Sequence, residues 1–228
     1  KYENWSFKDH EFQIDIVNDT KSEQVTIKCA QIGVSEIYSR LALGFVSIMN
    51  ASTGIYTLPT STFASRFAKQ RLDPVIENSP ILSERIDPET NNTSQKRIGD
   101  GFLYISGTFT KGSAISVPAN FLVHDEVDFS DPETLAAFDS RLGHQKEGEY
   151  IRRWFSTPTV PGYGVDKLYR DSDQKTRAVK CDHCGTWQVP IFADNVVVPG
   201  LERELLDYTM EDLHDPRVRV EEAYVACP

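Results

Sequence analysis

Two acidic residues directly follow a short apolar run near the middle of the chain. Phe121–His124 predicts a buried strand, and Asp125 and Glu126 come next. Open α/β sheets bind ligands at the carboxyl ends of their strands. Asp125 is suited to hold Mg²⁺ through the water shell of the metal, and Glu126 to deprotonate a water that attacks a γ-phosphate. An acidic lead-in to a helix explains the pair less well, because Ser130 and Asp131 already supply a cap.

A strand, a turn of small residues and a helix lie upstream of that acidic pair. Glu23–Ile27 predicts the strand, the turn runs Lys28-Cys-Ala-Gln-Ile-Gly-Val-Ser35, and the helix extends to Ile48. A phosphate-binding loop needs this order, because the free N–H groups of the first helical turn face the anion. Val34 stands where the common motif has lysine, although Lys28 could reach back to the phosphates. Alone, the loop is equally well a generic connection, but with the acidic pair it favours an NTPase.

Three polar residues elsewhere could contact a nucleotide. Ser156 ends the strand predicted at Arg153–Ser156 and Thr157 follows it, so that their hydroxyls at the strand tip could sense the γ-phosphate or its product. A Ser/Thr turn before Pro158 explains them equally well. Gln13 could read adenine, since an amide offers one donor and one acceptor, but a lone glutamine is weak evidence.

Basic residues on one predicted helix and on the fifth predicted strand are candidates for phosphate contacts. One of them could act as an arginine finger or touch a DNA phosphate, although a solvated face is the commoner role for such residues. The candidates are Arg66, Lys69, Arg71, Arg152 and Arg153.

Cysteines are few and unevenly placed. Cys181 and Cys184 form a CxxC with Gly185 after it, the spacing of a zinc knuckle, in which a tight turn lets two thiolates face one metal. Cys227-Pro228 predicts the start of a second knuckle whose last cysteine would lie beyond residue 228. A free CxxC or a redox pair is the alternative. Cys29 lies apart from this group, within the turn of small residues.

The composition limits the class of protein. The chain has 228 residues, 39% hydrophobic and 25% charged, which is typical of a globular protein. Its formal net charge of -10 excludes a histone-like DNA coat, since counterion release requires Lys and Arg, but a local basic strip could still touch DNA. No apolar run reaches the roughly 18 residues of a membrane span. Because the sequence begins at Lys1 and ends within an interrupted motif, we expect it to be part of a longer protein.

The order of elements predicts an α/β fold with a mainly parallel sheet, because strands alternate with helices. Further strands are expected at Gly54–Leu58 and Gly101–Ser106, with a loop between residues 84 and 99. Helices are expected at residues 61–76 and from a Ser130 cap to about Leu142. After about residue 178 the pattern changes to the cysteine segment and an acidic helix at residues 201–213.

Together these residues resemble the motor domain of the large terminase subunit of tailed bacteriophages, in the lambda-like class. The resemblance runs from about His10 to Pro228 and is specific in combination, although each motif alone is not. It rests on Phe12-Gln13, the loop Lys28–Ser35, Asp125-Glu-Val-Asp128, Phe155-Ser-Thr-Pro-Thr159, Gly162-Tyr-Gly164, Tyr169–Asp173 and Cys181–Gln188.

The resemblance implies a P-loop ATPase in residues 1–177 and an incomplete zinc-knuckle segment in residues 178–228. That class moves the phosphate-loop lysine to the start of the loop, so Val34 supports the assignment. The implied ligands are ATP, Mg²⁺ and a structural Zn²⁺. The implied site residues are Gln13 for adenine; Lys28, Gln31, Gly33, Val34 and Ser35 for the phosphates; Ser35 and Asp125 for Mg²⁺; Glu126 as catalytic carboxylate; Ser156 and Thr157 as coupling motif; and Cys181, Cys184 and Cys227 for Zn²⁺.

The implied partners are double-stranded DNA, the portal protein and the small terminase subunit. The resemblance implies a homo-oligomeric ring that loads DNA into a procapsid in the host cytoplasm, without a membrane. A nuclease domain is expected after the motor, outside this sequence.

Two alternatives stay open at the level of sequence. A helicase-like ATPase shares the acidic strand and the glutamine but normally keeps lysine next to serine in the loop. A non-enzymatic, zinc-stabilised nucleic-acid-binding module would bind zinc and no nucleotide, and would need a basic face.

Overall fold

The computed structural model describes residues 6–109, 117–146, 149–202 and 204–227. The chain divides into two compact units, residues 1–174 and 175–228. The functions assigned above to residues 1–177 and 178–228 stay predictions. Among the described residues, none of the helices is both long and apolar enough to cross a membrane.

A six-stranded sheet organises the first unit, in the order β1-β6-β5-β2-β4-β3. Every neighbouring pair is parallel except β3 and β4, so the predicted mixed α/β fold with a mostly parallel sheet is confirmed. The strands are β1 (Glu23–Ile27), β2 (Thr53–Leu58), β3 (Gln95–Ile98), β4 (Gly101–Gly107), β5 (Phe121–Asp125) and β6 (Ile151–Ser156).

Helices cover both faces of this sheet. The helices are α1 (Phe12–Asn18), α2 (Val34–Ile48), α3 (Ser61–Phe67), α4 (Asp73–Asn78), α5 (Pro80–Arg85), α6 (Pro132–Asp139) and α7 (Gly164–Arg170). Because side chains alternate between the faces of a strand, Tyr56 and Val123 pack in the cluster that includes α2, whereas Ile55 and Leu122 pack with Phe138 of α6. Burial of each such side chain contributes about 1.5–3 kcal/mol. The largely apolar sequences of β2 and β5 follow from this two-sided burial.

Three predictions about elements of the first unit are wrong in detail. The expected loop at residues 84–99 contains β3, an antiparallel edge strand whose polar sequence does not indicate a strand. The expected helix at residues 61–76 is interrupted by a π-helical turn, Ala68–Leu72. Asp131 caps α6, because its carboxylate accepts the N–H of Thr134, whereas the Ser130 hydroxyl donates to the carbonyl of Glu126.

The second unit is built from short elements. Its strands are β7 (Val179–Lys180), β8 (Trp187–Gln188), β9 (Val196–Val197) and β10 (Tyr224–Val225), and its helices are α8 (Phe192–Asn195) and α9 (Met210–His214). Two antiparallel pairs form, β7 with β8 and β9 with β10. The acidic helix predicted at residues 201–213 is wrong except for its end: α9 begins only after Thr209, whose capping box with Asp212 starts it. Arg203 and Pro228 lie outside the described residues.

Candidate functional site

Lys28 and Glu126 meet at the carboxyl edge of the sheet. Both follow parallel strands, and β6 lies between those strands, so their loops open on the same side. The Lys28 ammonium lies 2.8 Å from Glu126 Oε1, and the two side chains are 7% and 23% exposed. Glu126 has a left-handed backbone, φ 56° and ψ 53°, a conformation that costs a non-glycine residue about 1–3 kcal/mol. The fold therefore holds this carboxylate in a strained position, as functional sites often do.

Asp125 is buried behind that ion pair. The Tyr56 hydroxyl donates to Asp125 Oδ2 over 2.8 Å, whereas Oδ1 is buried and has no hydrogen-bond partner among the described residues. Burial raises the pKa of Asp125 to about 7; hydroxyl contacts with Tyr56 and Ser35 oppose the rise and the charge of Glu126 adds to it. An unpaired carboxylate oxygen beside a serine hydroxyl fits a hard divalent cation, which prefers oxygen ligands. The two residues predicted for Mg²⁺ are thus brought together.

The loop from Lys28 to Ser35 is shaped for close approach to its helix. Gln31 and Gly33 both have positive φ, 63° and 77°, and Gly33 precedes the first turn of α2. Val34 is 1% exposed and packs in the core, so its side chain does not face the loop. A lysine at position 34 would place its charge in that core, which explains why the cation comes from Lys28 instead.

Gln13 braces this loop from α1. It is 4% exposed, and its amide nitrogen donates to the carbonyl of Ile32 over 2.7 Å. A Cβ at position 33 would lie 2.7 Å from the same nitrogen and displace it, and the φ of 77° also favours glycine there. The amide therefore contacts the loop backbone, and its predicted contact with adenine stays a prediction.

Ser156 connects the end of β6 to the acidic pair. Its buried hydroxyl lies 3.3 Å from Glu126 Oε2 and 3.1 Å from the carbonyl oxygen of Thr157. Thr157 lines a cavity of about 500 Å³ that opens beside Glu126. The other lining residues are Pro59, Thr60, Phe63 and Phe129. Glu126 thus borders a cavity whose lining is mostly apolar.

Two of the basic candidates are engaged in the fold. Arg153 is 6% exposed and donates to the carbonyls of Ser22 and Arg152. Arg152 pairs with Glu23 and Asp139 and lies over the ring of Trp154. These contacts account for both side chains without a phosphate.

The remaining basic candidates lie on the surface around the π-helical turn. Arg66, Lys69 and Arg71 are exposed, and Arg71 lies 3.7 Å from Glu36 of α2. The wider π turn changes the angular spacing that relates Arg66 to Lys69 on a regular helix.

The sequence did not predict the contacts of two residues of the site, Tyr56 and Asp128. Tyr56 reads as an ordinary strand residue, and its contact with Asp125 joins positions 69 residues apart. Asp128 has no role of its own in the sequence prediction beyond ending the segment Asp125-Glu-Val-Asp128, yet it accepts three hydrogen bonds from Thr159 and Val165. The alternation within β2 indicates which face Tyr56 occupies, but nothing local indicates its partner.

Three thiols converge in the second unit. The Sγ atoms of Cys181, Cys184 and Cys227 lie within 4.8 Å of one another. Gly185, with φ 75°, closes the turn by donating its N–H to the carbonyl of Cys181. Hydrogen bonds, chiefly from Thr186, lower the pKa of Cys184 to about 6, which favours the thiolate that binds metals. The donor set fits zinc, which accepts three cysteines with a fourth ligand.

Comparison with known proteins identifies relatives of this arrangement. The family model described as "Phage terminase large subunit gpA, ATPase domain" matches residues 5–228. The search of curated proteins found no match. The structure is similar to the large terminase of bacteriophage HK97, with a TM-score of 0.59 and 11% identity over 74% of this chain and 36% of that one. It is also similar to the large terminase ATPase domain of Thermus phage P74-26, with a TM-score of 0.59 and 16% identity over 79% of this chain and 76% of that one. This chain spans little more than a third of the HK97 protein, and at such identities the two structures support the fold alone. Its match to the family model over almost its whole length shows that the chain belongs to the ATPase-domain family of the phage terminase large subunit.

Proposed function

We propose that this chain hydrolyses ATP at the Lys28–Glu126 edge of the sheet and that the whole protein uses this reaction to move viral double-stranded DNA into a procapsid. One observation carries the proposal. Two loops 98 residues apart bring a lysine and a glutamate to 2.8 Å, and the residue before that glutamate, Asp125, has a buried carboxylate oxygen without a hydrogen-bond partner among the described residues. Phosphoryl transfer uses a cation on the phosphates, a carboxylate that holds the metal and a residue that positions the nucleophile.

Lys28 binds the β- and γ-phosphates in this mechanism. Its ammonium is nearly buried and its present partner is Glu126. An arriving triphosphate brings more negative charge than one carboxylate, so it draws Lys28 away and releases Glu126. The N–H groups at the start of α2, after Gly33, complete the anion site.

Glu126 then orients a water and takes its proton as the water attacks the γ-phosphate. The Ser156 hydroxyl, 3.3 Å from Oε2, holds the carboxylate in position. Asp125 and Ser35 would hold Mg²⁺, which when bound neutralises charge on the phosphate oxygens. Tyr56 orients Asp125 by its hydrogen bond, and Gln13 keeps the phosphate-binding loop in shape from α1.

The packaging role rests on family membership. The proposed partners are DNA, the portal protein and the small terminase subunit, with copies of the chain forming a ring on the procapsid in the host cytoplasm. DNA cutting is proposed for a nuclease domain outside this chain. A net charge of -10 is compatible with this role, because a ring needs only a few basic contacts to hold DNA.

The two alternatives are less well supported. The Asp-Glu strand and the glutamine brace would also suit a helicase-like ATPase, but the lysine of this chain is at the start of the loop and Val34 is in the core. A non-enzymatic zinc module gives no reason for a strained Glu126 beside Lys28.

We also propose a structural zinc site at Cys181, Cys184 and Cys227, with the fourth ligand beyond residue 228. The three-thiol cluster and the tight turn that Gly185 closes after Cys184 support it. Metal analysis of the longer protein should find one zinc per chain in this segment, and a protein without zinc would rule the site out.

Glu126→Gln tests the proposed reaction. The amide keeps the size of the side chain but cannot accept a proton, so turnover in the assembled packaging complex should fall by at least about 100-fold while ATP binding persists. Glu133→Gln is the matched control, since Glu133 is an exposed residue in the first turn of α6. Undiminished hydrolysis by Glu126→Gln would reject the assignment.

A further inference from the structure

Asp128, the last acid of the Asp125-Glu-Val-Asp128 segment, is turned away from solvent and is 7% exposed. Its Oδ2 accepts the N–H of Thr159 over 2.8 Å and the Thr159 hydroxyl over 2.9 Å. Its Oδ1 accepts the N–H of Val165 over 2.7 Å. One carboxylate therefore holds both the loop after β6 and the first turn of α7 by charge-assisted hydrogen bonds, which are the stronger kind.

The backbone of Asp128 is connected to the proposed catalytic group. Its N–H donates to Ser156 Oγ over 3.3 Å. The single hydroxyl proton of Ser156 has two possible acceptors, Glu126 Oε2 and the carbonyl oxygen of Thr157. A change at Glu126 that alters which acceptor the Ser156 hydroxyl uses therefore affects the two other residues bonded to that hydroxyl, Asp128 and Thr157.

The residues around Asp128 are closely packed. Gly164, with φ 51°, is the first residue of α7, and a Cβ there would collide with the Asp128 carboxylate. The next residue, Val165, is fully buried. Close-packed contacts transmit displacements because the neighbours have no empty space to absorb them.

From these contacts we infer that Asp128 is a positioning residue that makes the loop at residues 157–163 and helix α7 respond to the nucleotide bound beside Glu126. The inference rests on the proposed ATPase function and adds an output element to it. Asp128 itself touches neither nucleotide nor metal. It converts the state of Glu126 and Ser156 into a position of α7. Leu168 of α7 packs against a buried cluster that includes Val127 of the same acidic segment.

Hydrogen exchange of the full chain, with and without Mg²⁺ and a non-hydrolysable ATP analogue, tests this inference. In the native chain the analogue should slow exchange both in residues 28–35 and in residues 157–170. Asp128→Asn keeps one acceptor oxygen and replaces the other with an NH2 group, so the amide can still accept from either Thr159 or Val165 but opposes the N–H of the other with hydrogens of its own. In that variant residues 28–35 should still respond, while the response of residues 157–170 falls by about tenfold or more.

A matched control separates coupling from simple stabilisation. Asp131 makes the same kind of cap, since its Oδ2 accepts the N–H and hydroxyl of Thr134. Asp131→Asn should leave the nucleotide response of residues 157–170 unchanged. Thr159→Val removes one hydroxyl contact and keeps the backbone bonds, so it provides a milder test if Asp128→Asn folds poorly. It should weaken the response of residues 157–170 without changing the response of residues 28–35.

The outcomes are distinguishable. A full response of residues 157–170 in Asp128→Asn overturns the coupling role and leaves the proposed function intact, as does a native chain in which only residues 28–35 respond. If Asp128→Asn does not fold, a full response in Thr159→Val has the same meaning. A native chain in which residues 28–35 do not respond to the analogue overturns the proposed function and the coupling together.

Discussion

Large apolar side chains are buried in the first unit and exposed in the second. Tyr38, Tyr56 and Phe155 are fully buried around the parallel sheet, and Tyr38 stacks on Phe155 with ring centroids 4.7 Å apart. In contrast, Trp187 and Phe192 of the second unit are 66% and 61% exposed. Of the described residues of that unit, Leu205 alone is a buried hydrophobic residue. The first unit can therefore be stabilised by its own core, whereas so small a core in the second unit is typical of segments that a metal or another cross-link stabilises.

The two units also shift the pKa of their candidate metal-binding groups in opposite directions. Burial raises the pKa of Asp125 to about 7, so a cation or proton is needed to satisfy that carboxyl. Hydrogen bonds lower the pKa of the exposed Cys184 to about 6, so this thiol readily becomes a thiolate. The first environment is typical of a site that exchanges ligands during a reaction, and the second of a site that keeps its metal.

Metal removal should have the largest effect and should separate the units most clearly. Structural zinc contributes about 10–16 kcal/mol to the folding of small zinc-dependent segments, so chelation should abolish hydrogen-exchange protection in residues 179–227. The sheet of the first unit should keep its protection. Protection of residues 179–227 that survives full metal removal would show that the second unit does not depend on zinc.

Truncation of a core aromatic should damage only the first unit. Phe155→Ala leaves a cavity beside Tyr38, so the free energy of unfolding of the first unit should fall by about 3–5 kcal/mol in denaturant titrations. Trp187→Ala in the second unit is the matched control and should change stability by less than about 0.5 kcal/mol. Equal losses in the two variants would contradict the contrast between the units.

Loss of the lysine should affect ligand binding specifically. A hydrogen bond to a charged group is worth about 1.5–3 kcal/mol, so Lys28→Ala should weaken ATP binding by about 10- to 100-fold in calorimetric titrations. Cys184→Ser should leave this affinity unchanged, because every residue proposed to hold nucleotide belongs to the first unit. Unchanged affinity in Lys28→Ala would reduce the loop to a structural connection.

The smallest expected effect concerns pH. Burial by itself raises the pKa of Asp139, but the hydrogen bond with His124 and the charge of Arg152 hold it below its ordinary value of 3.8. A lowered pKa stabilises the fold above that value, and the contribution disappears as the pH falls through the folded-state pKa. Asp139→Asn should therefore cost about 1 kcal/mol at neutral pH and progressively less below pH ~4. Denaturant titrations across this range check the trend, and a cost that does not depend on pH would contradict it.

The apolar run Phe121–Val123 predicts the central strand β5 well, because every residue of that strand is buried. The bounds of β1 also match the expectation, although β1 is an edge strand whose residues are at most partly buried. The edge strand β3 has a polar sequence in which Lys96 is buried only because Asp73 and Asn91 bind its ammonium. Edge strands often carry charged side chains, which discourage pairing with other chains, so an apolar pattern in the sequence does not reveal them.

The prediction of a helix at residues 201–213 is wrong because local sequence does not show which side chains become buried. Helical spacing of leucines favours a helix only where a neighbouring surface buries them, and Leu206 remains 74% exposed. The five residues of α9 form where the Thr209 capping box supplies local hydrogen bonds.

The sequence by itself determined which chemical groups stand at the ends of strands: Lys28 after β1, Asp125 and Glu126 at the end of β5, and Ser156 at the end of β6. Strand order was decided only by tertiary structure, because hydrogen bonds between β1, β6 and β5 join residues more than a hundred positions apart or separated by a whole loop. That order brings Lys28 to Glu126, Tyr56 to Asp125, and Asp128 to the start of α7. Local residue preferences carry no information about such contacts, since each depends on which distant surfaces are buried together.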